Sequence, residues 1–112
     1  MANTGQERMA EAMAALLKRF QPLLEERVTV VESAAAAAEE GTLDSERRQQ
    51  GCAAAHKLAG VLGTFGFQEG TEVAREAEAI FGRGQTPNPQ ETQRLAEIAG
   101  RLRGMLAAIP QD

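Results

Sequence analysis

The sequence contains no tryptophan and no tyrosine, and only four of its 112 residues are phenylalanine. Its core must therefore be built mainly from leucine, valine, isoleucine, methionine and alanine side chains. The single cysteine excludes an internal disulfide framework, which agrees with a reducing compartment. The length is sufficient for one bundle core and too short for two, so we predict a single domain over residues 1–112.

The chain also lacks an excess of basic residues and any long apolar run. Its formal net charge is −4, and its nearest approach to a basic cluster is Arg47-Arg48, so we expect no nucleic-acid partner. No apolar run approaches the roughly 20 residues that cross a bilayer, and the polar start, Met1 to Arg8, does not resemble a secretory signal. We therefore expect a soluble, cytoplasmic protein without a membrane partner.

Apolar residues recur at steps of three and four along every long segment, and no segment alternates with a period of two. This spacing predicts an all-α protein, because it gathers apolar side chains on one face of a helix. In the first segment the stripe contains Met9, Met13, Leu16 and Phe20. The later seams are Leu24, Val28, Val31, Ala35 and Ala38; Gly51, Ala55, Leu58, Leu62 and Phe65; Val73, Ala77 and Ile80; and Leu95, Ile98, Leu102, Met105 and Ile109.

Residues with terminal preferences mark the ends of the predicted helices. Gly41 is a natural stop, and Thr42 or Asp44 can cap the helix that follows, which runs to about Phe65 with Gly66 as its stop. The last helix opens with Asn88-Pro89-Gln90-Glu91, which places a cap, a proline and a glutamate where a capping box needs them. The helix ends marked by these residues predict short connections between the helices.

Short connections favour antiparallel neighbours, so we predict an antiparallel up-down four-helix bundle with an additional N-terminal helix. The N-terminal helix is assigned to residues 1–20 and the bundle to residues 22–109, with Pro110 ending the last helix. Pro22 can either begin a second helix or kink a continuous one, and the sequence leaves both arrangements open.

The only histidine, His56, falls on the predicted third helix away from its apolar seam. Cys52 lies one turn before it on the same side, and Gly60 and Gly63 lie one and two turns after it. Glycine costs a helix interior roughly 1 kcal/mol relative to alanine, so two glycines on one face indicate a requirement. One such requirement is access of another molecule to the imidazole, and the other is close packing of a neighbouring helix.

The stretch His-Lys-Leu-Ala-Gly-Val-Leu-Gly-Thr-Phe-Gly, residues 56–66, resembles the phosphoacceptor motif of histidine-containing phosphotransfer (Hpt) domains. In that motif the histidine is followed by an apolar residue at +2, usually lysine at +3, glycine at +4, and commonly glycine at +7 and +10. The departure is Ala59, which stands where the family usually has lysine, although Lys57 supplies a cation one residue after the histidine. The matching residues are Leu58, Gly60, Gly63 and Gly66.

The resemblance implies a phosphocarrier in a two-component phosphorelay, with phosphohistidine formed at His56. The expected donors are the aspartyl-phosphate of a response-regulator receiver domain and a histidine kinase or hybrid kinase, and the expected acceptor is a receiver aspartate. Such a chain is a stoichiometric carrier and not an enzyme. It needs no cofactor of its own, because Mg²⁺ is expected on the partner receiver domain.

The resemblance also assigns roles to neighbouring residues. Glu78, 22 positions after His56, is expected to hydrogen-bond the imidazole and orient it. Lys57 is a candidate for attracting phosphate as a point charge, although it lies about 100° around the helix from the histidine. The expected docking surface for the partner surrounds the histidine and contains Cys52, Gly60 and Gly63.

Other chemistries fit the sequence less well. Cys52 and His56 are spaced to share a metal, but zinc sites use three or four protein ligands and no further cysteine or histidine exists, so no metal site is predicted. No P-loop, kinase glycine-rich loop or Ser/His/Asp set is present, so the domain is not expected to phosphorylate itself from ATP. The alternatives are the phosphoacceptor module of a larger kinase and a helical interaction module without phosphoryl transfer.

Overall fold

The computed structural model describes residues 4–109 and contains only helices within that range. The prediction of an all-α fold is confirmed. None of these helices is both long enough and apolar enough to cross a membrane. The four helices are α1, Gly5–Glu40; α2, Ser45–Thr64; α3, Gln68–Gly82; and α4, Pro89–Ala107.

The helices pack as a bundle in which each has two neighbours. Helix α2 packs against α1 and α3, and α4 packs against the same two helices from the other side. The core consists of aliphatic and alanine side chains with one buried aromatic ring, Phe81. Most residues of the predicted seams are buried, whereas Ala38, Phe65 and Met105 are half-buried at the margin of the core.

The N-terminal part of the fold differs from the prediction. Within residues 4–109 the predicted N-terminal helix, assigned to residues 1–20, is not a separate element, because α1 continues without a break from Gly5 through Pro22 to Glu40. The arrangement with one continuous helix, which the sequence left open, is the observed one. A proline removes one hydrogen bond of the helix, but residues from Leu24 onward are anchored in the core and hold the helix on the C-terminal side of Pro22. Residues 1–3 and the predicted stop at Pro110 lie outside the described residues.

The helix ends follow the sequence signals closely. Asp44 caps α2 by accepting a hydrogen bond from the backbone N–H of Arg47 at 2.8 Å, whereas the hydroxyl of Thr42 donates to the Ala37 carbonyl. Asn88 and Glu91 form the predicted capping box at the start of α4. Gly41 and Gly66 both adopt left-handed backbone angles, φ 71° and 79°, which favour glycine where a helix ends. The capping predictions at Asp44, Asn88 and Gly41 are therefore confirmed.

Helix α1 is much longer than the bundle it belongs to. Its 36 residues span about 54 Å at 1.5 Å per residue, while the 20 residues of α2 span about 30 Å. The molecule accordingly measures 58 × 23 × 20 Å along its principal axes. Because the buried residues of α1 begin at Leu24, the first half of this helix, residues 5–23, extends from the bundle core as an arm, and within it Leu17 and Phe20 pack against the margin of the core.

Gly51 permits a close approach of α2 to α1 and α3, and this gives a prediction for stability. A Cβ at Gly51 would lie 3.0 Å from the Cβ of Ala34 and 3.1 Å from the ring of Phe81, whereas one at Gly104 would meet nothing. We expect Gly51→Ala to lower the free energy of unfolding by about 1–2 kcal/mol, because overpacking outweighs the gain in helix propensity. Gly104→Ala, the matched control, should raise it by about 0.5–1 kcal/mol.

Urea unfolding of both variants measures these two changes in the free energy of unfolding. The variants are comparable because each adds one methyl group to a helix. An equal stabilisation by both substitutions would mean that the tight contact at Gly51 is not present.

Candidate functional site

The candidate site lies on the outer surface of the α2–α3 pair. His56 stands near the middle of α2 with 73% of its side chain exposed, so the ring is not part of the core. Its Nδ1 lies 2.8 Å from Oε2 of Glu78 on α3, and the Glu78 side chain is 33% exposed. The structure therefore brings together the two residues that the sequence singled out 22 positions apart.

This contact fixes the chemical identity of the two ring nitrogens. An ionised carboxylate only accepts hydrogen bonds, so Nδ1 is the nitrogen that carries the proton and donates to Glu78. In the neutral ring, Nε2 then holds the free lone pair. Because the hydrogen bond holds Nδ1 toward α3 and most of the ring is exposed, Nε2 is the nitrogen available to a visiting electrophile.

The two predicted docking glycines differ in their surroundings. A Cβ at Gly60 would meet nothing within 4 Å, so the backbone one turn after His56 is open to a partner. A Cβ at Gly63 would lie 3.3 Å from Oγ1 of Thr71, which is itself buried and donates to the Ala59 carbonyl at 3.2 Å. Gly63 therefore combines an exposed backbone with close packing against α3, and only Gly60 is free of any neighbour.

Cys52 is half-buried between α2 and the end of α3. Its Sγ donates to the Glu78 carbonyl at 3.6 Å and lies 3.5 Å from the position a Cβ at Gly82 would take. Burial, reinforced by the negative charge of Glu78 and opposed by Arg48, raises the pKa of the Cys52 thiol. The thiol thus stays protonated and serves as packing at the edge of the site, where it leaves part of its surface to a partner.

Lys57 is exposed on the side of α2 that faces α1. It lines an open groove of about 420 Å³ with Leu23 and Val30, and it also borders the depression of about 530 Å³ that contains His56. Among residues 4–109 it has no carboxylate partner, whereas Arg94 and Arg103 of α4 are each held by two glutamates. The ammonium group is therefore not held by an ion pair within this range.

Arg48 contributes to the site in a way that the sequence did not indicate. The pair Arg47-Arg48 reads as a solvated helix face, but Arg48 is half-buried and its Nη1 donates to the Phe81 carbonyl at 2.6 Å. It thereby ties the N-terminal half of α2 to the last turn of α3, where the carbonyls have few intrahelical partners. The sequence gives no local signal for this contact, because the Phe81 carbonyl lies 33 residues from Arg48 in the chain.

No arrangement of three or more His, Cys, Asp or Glu side chains within residues 4–109 is placed to hold a metal ion.

The family model described as "Hpt domain" matches residues 7–112, which is nearly the whole chain. No curated protein and no solved structure gives a match.

Proposed function

Because the chain belongs to the family of histidine-containing phosphotransfer (Hpt) domains, a module of two-component signalling, we propose that it carries a phosphoryl group on His56. The observation that supports this most directly is the hydrogen bond between the exposed imidazole and Glu78, which holds Nδ1 and leaves Nε2 outward. A structural histidine would instead have its ring buried or both nitrogens bonded.

In the proposed reaction the lone pair of Nε2 attacks the phosphorus of an aspartyl-phosphate on a receiver domain. The N–P bond forms as the acyl phosphate P–O bond breaks, and the receiver recovers its carboxylate. Glu78 retains its hydrogen bond from Nδ1–H throughout and stabilises the positive charge that develops on the ring. Transfer to a second receiver reverses these events on the new aspartate.

The other components of phosphoryl transfer are proposed to come from the partner. Transfer depends mainly on in-line positioning and neutralisation of charge, and a receiver domain with Mg²⁺ would supply both around its aspartate. Lys57 is proposed as a mobile cation on the carrier side, in place of the lysine that the family usually has at the position of Ala59. The domain needs no metal or nucleotide of its own in this scheme.

The proposed docking surface extends from Cys52 past His56 to Gly60 and the exposed backbone of Gly63. Hpt domains are phosphocarriers rather than catalysts, so the chain is expected to act stoichiometrically. The proposed donors are a receiver aspartyl-phosphate and a histidine or hybrid kinase, and the proposed acceptor is a receiver aspartate. We propose that this exchange takes place in the cytoplasm, without nucleic acid or a membrane as partner.

The competing proposal is a helical interaction module that binds a partner through the same surface without phosphoryl chemistry. Incubation with a phosphorylated receiver domain separates the two. The carrier should acquire phosphate that is labile in acid and stable in alkali, the signature of a phosphoramidate. A complex that forms without any transfer of phosphate would favour the interaction module.

Substitutions at Glu78 test its proposed role in orienting the ring. Glu78→Ala should lower the rate of phosphoryl acceptance about tenfold, since loss of a charge-assisted hydrogen bond of roughly 1.4 kcal/mol corresponds to that factor. Glu78→Gln keeps an acceptor oxygen and should lose only about two- to threefold. Glu72→Ala, on an exposed position of the same helix, is the matched control and should leave the rate unchanged.

Imidazole nitrogen shifts in the same variants separate orientation from a merely structural effect. In Glu78→Ala the ring should populate both tautomers, whereas the unmodified chain should hold the proton on Nδ1. Unchanged shifts combined with a slower rate would contradict the positioning role.

A further inference from the structure

The large hydrophobic side chains exposed within residues 4–109 all lie on the arm. They are Met9, Leu16 and Leu23, with 65%, 40% and 36% of their surface accessible. They are spaced by seven residues, so they form one line along α1, and Val30 continues this line at the margin of the bundle. An exposed apolar line with heptad spacing indicates the seam of a helix pair.

The surroundings of this line suit a second helix. Ala12 lies beside it and Met13 and Phe20 border it, so from Met9 to Leu23 the face contains no charged side chain. Glu7, Glu11 and Lys18 are on the opposite side of the helix by their spacing. The small side chain of Ala12 allows two backbones to approach closely on this face.

From these features we propose that a second copy of this chain covers the line, with the two arms antiparallel and crossing at Leu16. In that register Met9 of one chain lies opposite Leu23 of the partner subunit, and the two Leu16 side chains meet on the two-fold axis. The line is symmetric about Leu16, seven residues to each side, so it is complementary to itself in this orientation.

Charges at the edge of the line favour the antiparallel orientation. Arg8, Arg19 and Glu26 lie on one edge of α1, about 60–80° from the apolar line. In a parallel pair opposite edges of the two helices meet, so these charges would face the uncharged edge that contains Met13 and Leu17. In the antiparallel pair the same edges meet, and Arg8 comes within about 3 Å, along the helix axis, of the level of Glu26 of the partner subunit. This happens once on each side of the two-fold axis, so the charges are complementary.

The proposed interface leaves the phosphoacceptor accessible. The arm passes beyond the end of α2, where Phe20 contacts Phe65 edge-on with ring centroids 6.1 Å apart. Where the line meets the bundle, it borders the groove on the α1 side of α2, whereas His56 is held on the α3 side by Glu78. In a dimer formed in this way both imidazoles stay exposed, and the arm of the partner subunit runs beside the groove that Lys57 lines.

Sedimentation velocity of the full chain between 1 and 200 µM tests the proposal. The unmodified chain should shift from monomer to dimer across this range, and Leu16→Glu should remain monomeric at 200 µM. Ala14→Glu adds the same charge to the opposite side of the same helix and should dimerise like the unmodified chain. A monomer at every concentration, or equal effects of the two substitutions, would overturn the proposal.

Cross-linking determines the orientation. In a Cys52→Ser background, mild oxidation should join Met9→Cys chains to Leu23→Cys chains when the two are mixed, and neither variant should cross-link alone. Cross-linking of each variant with itself would indicate a parallel pair and contradict the register.

A receiver domain could also cover the apolar line on α1, and a further measurement distinguishes it from a second copy of the chain. Phosphoryl acceptance measured at 1 µM should be the same for Leu16→Glu and the unmodified chain. A tenfold loss in Leu16→Glu would show that the line binds the receiver and would overturn the assignment to a second copy. Failure of phosphoryl transfer in all variants, with dimerisation intact, would count against the proposed function and leave this inference standing.

Discussion

His56→Gln is expected to abolish phosphoryl acceptance, with a loss of at least 10³-fold relative to the unmodified chain. Glutamine has no nucleophilic nitrogen, because the lone pair of its amide is delocalised into the carbonyl. His56 is also the only histidine, so no second imidazole can replace it. The measurement is the amount of alkali-stable phosphate on the chain after incubation with a phosphorylated receiver.

Stability provides the control for this variant. Because 73% of the His56 side chain is exposed, the substitution should change the free energy of unfolding by less than about 0.5 kcal/mol. Lys57→Gln, one residue along the same helix, should retain the phosphoacceptor and lose at most a few-fold in rate. Full labelling of His56→Gln would place the phosphate on another residue and remove the proposed function.

Gly60→Leu is expected to slow phosphoryl transfer by one to two orders of magnitude while making the chain more stable. A side chain at this position would meet nothing in the isolated domain, and replacing a helix-interior glycine should add roughly 0.5–1 kcal/mol of stability. The same side chain would occupy the space beside His56 that a receiver must enter. We therefore expect this substitution to raise the free energy of unfolding and to lower the rate of phosphoryl transfer.

Gly100→Leu is the matched control for this prediction. Gly100 lies on an exposed part of α4 where an added Cβ also meets nothing, so it should gain similar stability and transfer phosphate at the normal rate. Urea unfolding and the rate of label transfer, measured on both variants, decide the outcome. A normal rate in Gly60→Leu would mean that the partner does not approach the helix at this glycine.

Local signals were sufficient for most of the fold. The capping box at Asn88 and Glu91 involves residues three apart, and Asp44 caps α2 over the same short distance. Interactions of this range are determined by neighbouring residues alone, so the sequence predicts them directly. The seams of α2 and α3 follow in the same way from helical spacing.

Neighbouring residues alone did not predict whether the helix continues or breaks at Pro22. A proline at this position fits the first turn of a new helix as well as the interior of a continuous one. The choice depends on whether the residues after Pro22 are already held by the bundle, and Leu24 is fully buried there. The loss of one backbone hydrogen bond is tolerated in α1 because packing holds the helix on that side.

The sequence also did not predict which side chains lie near Gly60 and Gly63. Gly60 and Gly63 have similar positions relative to His56 on α2, but only Gly63 faces a side chain of α3, that of Thr71. The partner of Arg48 is likewise remote, because it is a carbonyl 33 residues away in the chain. Such contacts depend on how two helices are placed against each other, which spacing within one helix does not specify.

The atom that carries the phosphate tests the central claim most directly. With ring-¹⁵N-labelled protein phosphorylated by a receiver domain, the coupling between phosphorus and the ring nitrogens distinguishes the two positions. We predict a single phosphohistidine, bonded at Nε2 of His56, with the proton on Nδ1 still shared with Glu78. Phosphate bonded at Nδ1, or found on a carboxylate instead of the ring, would contradict it.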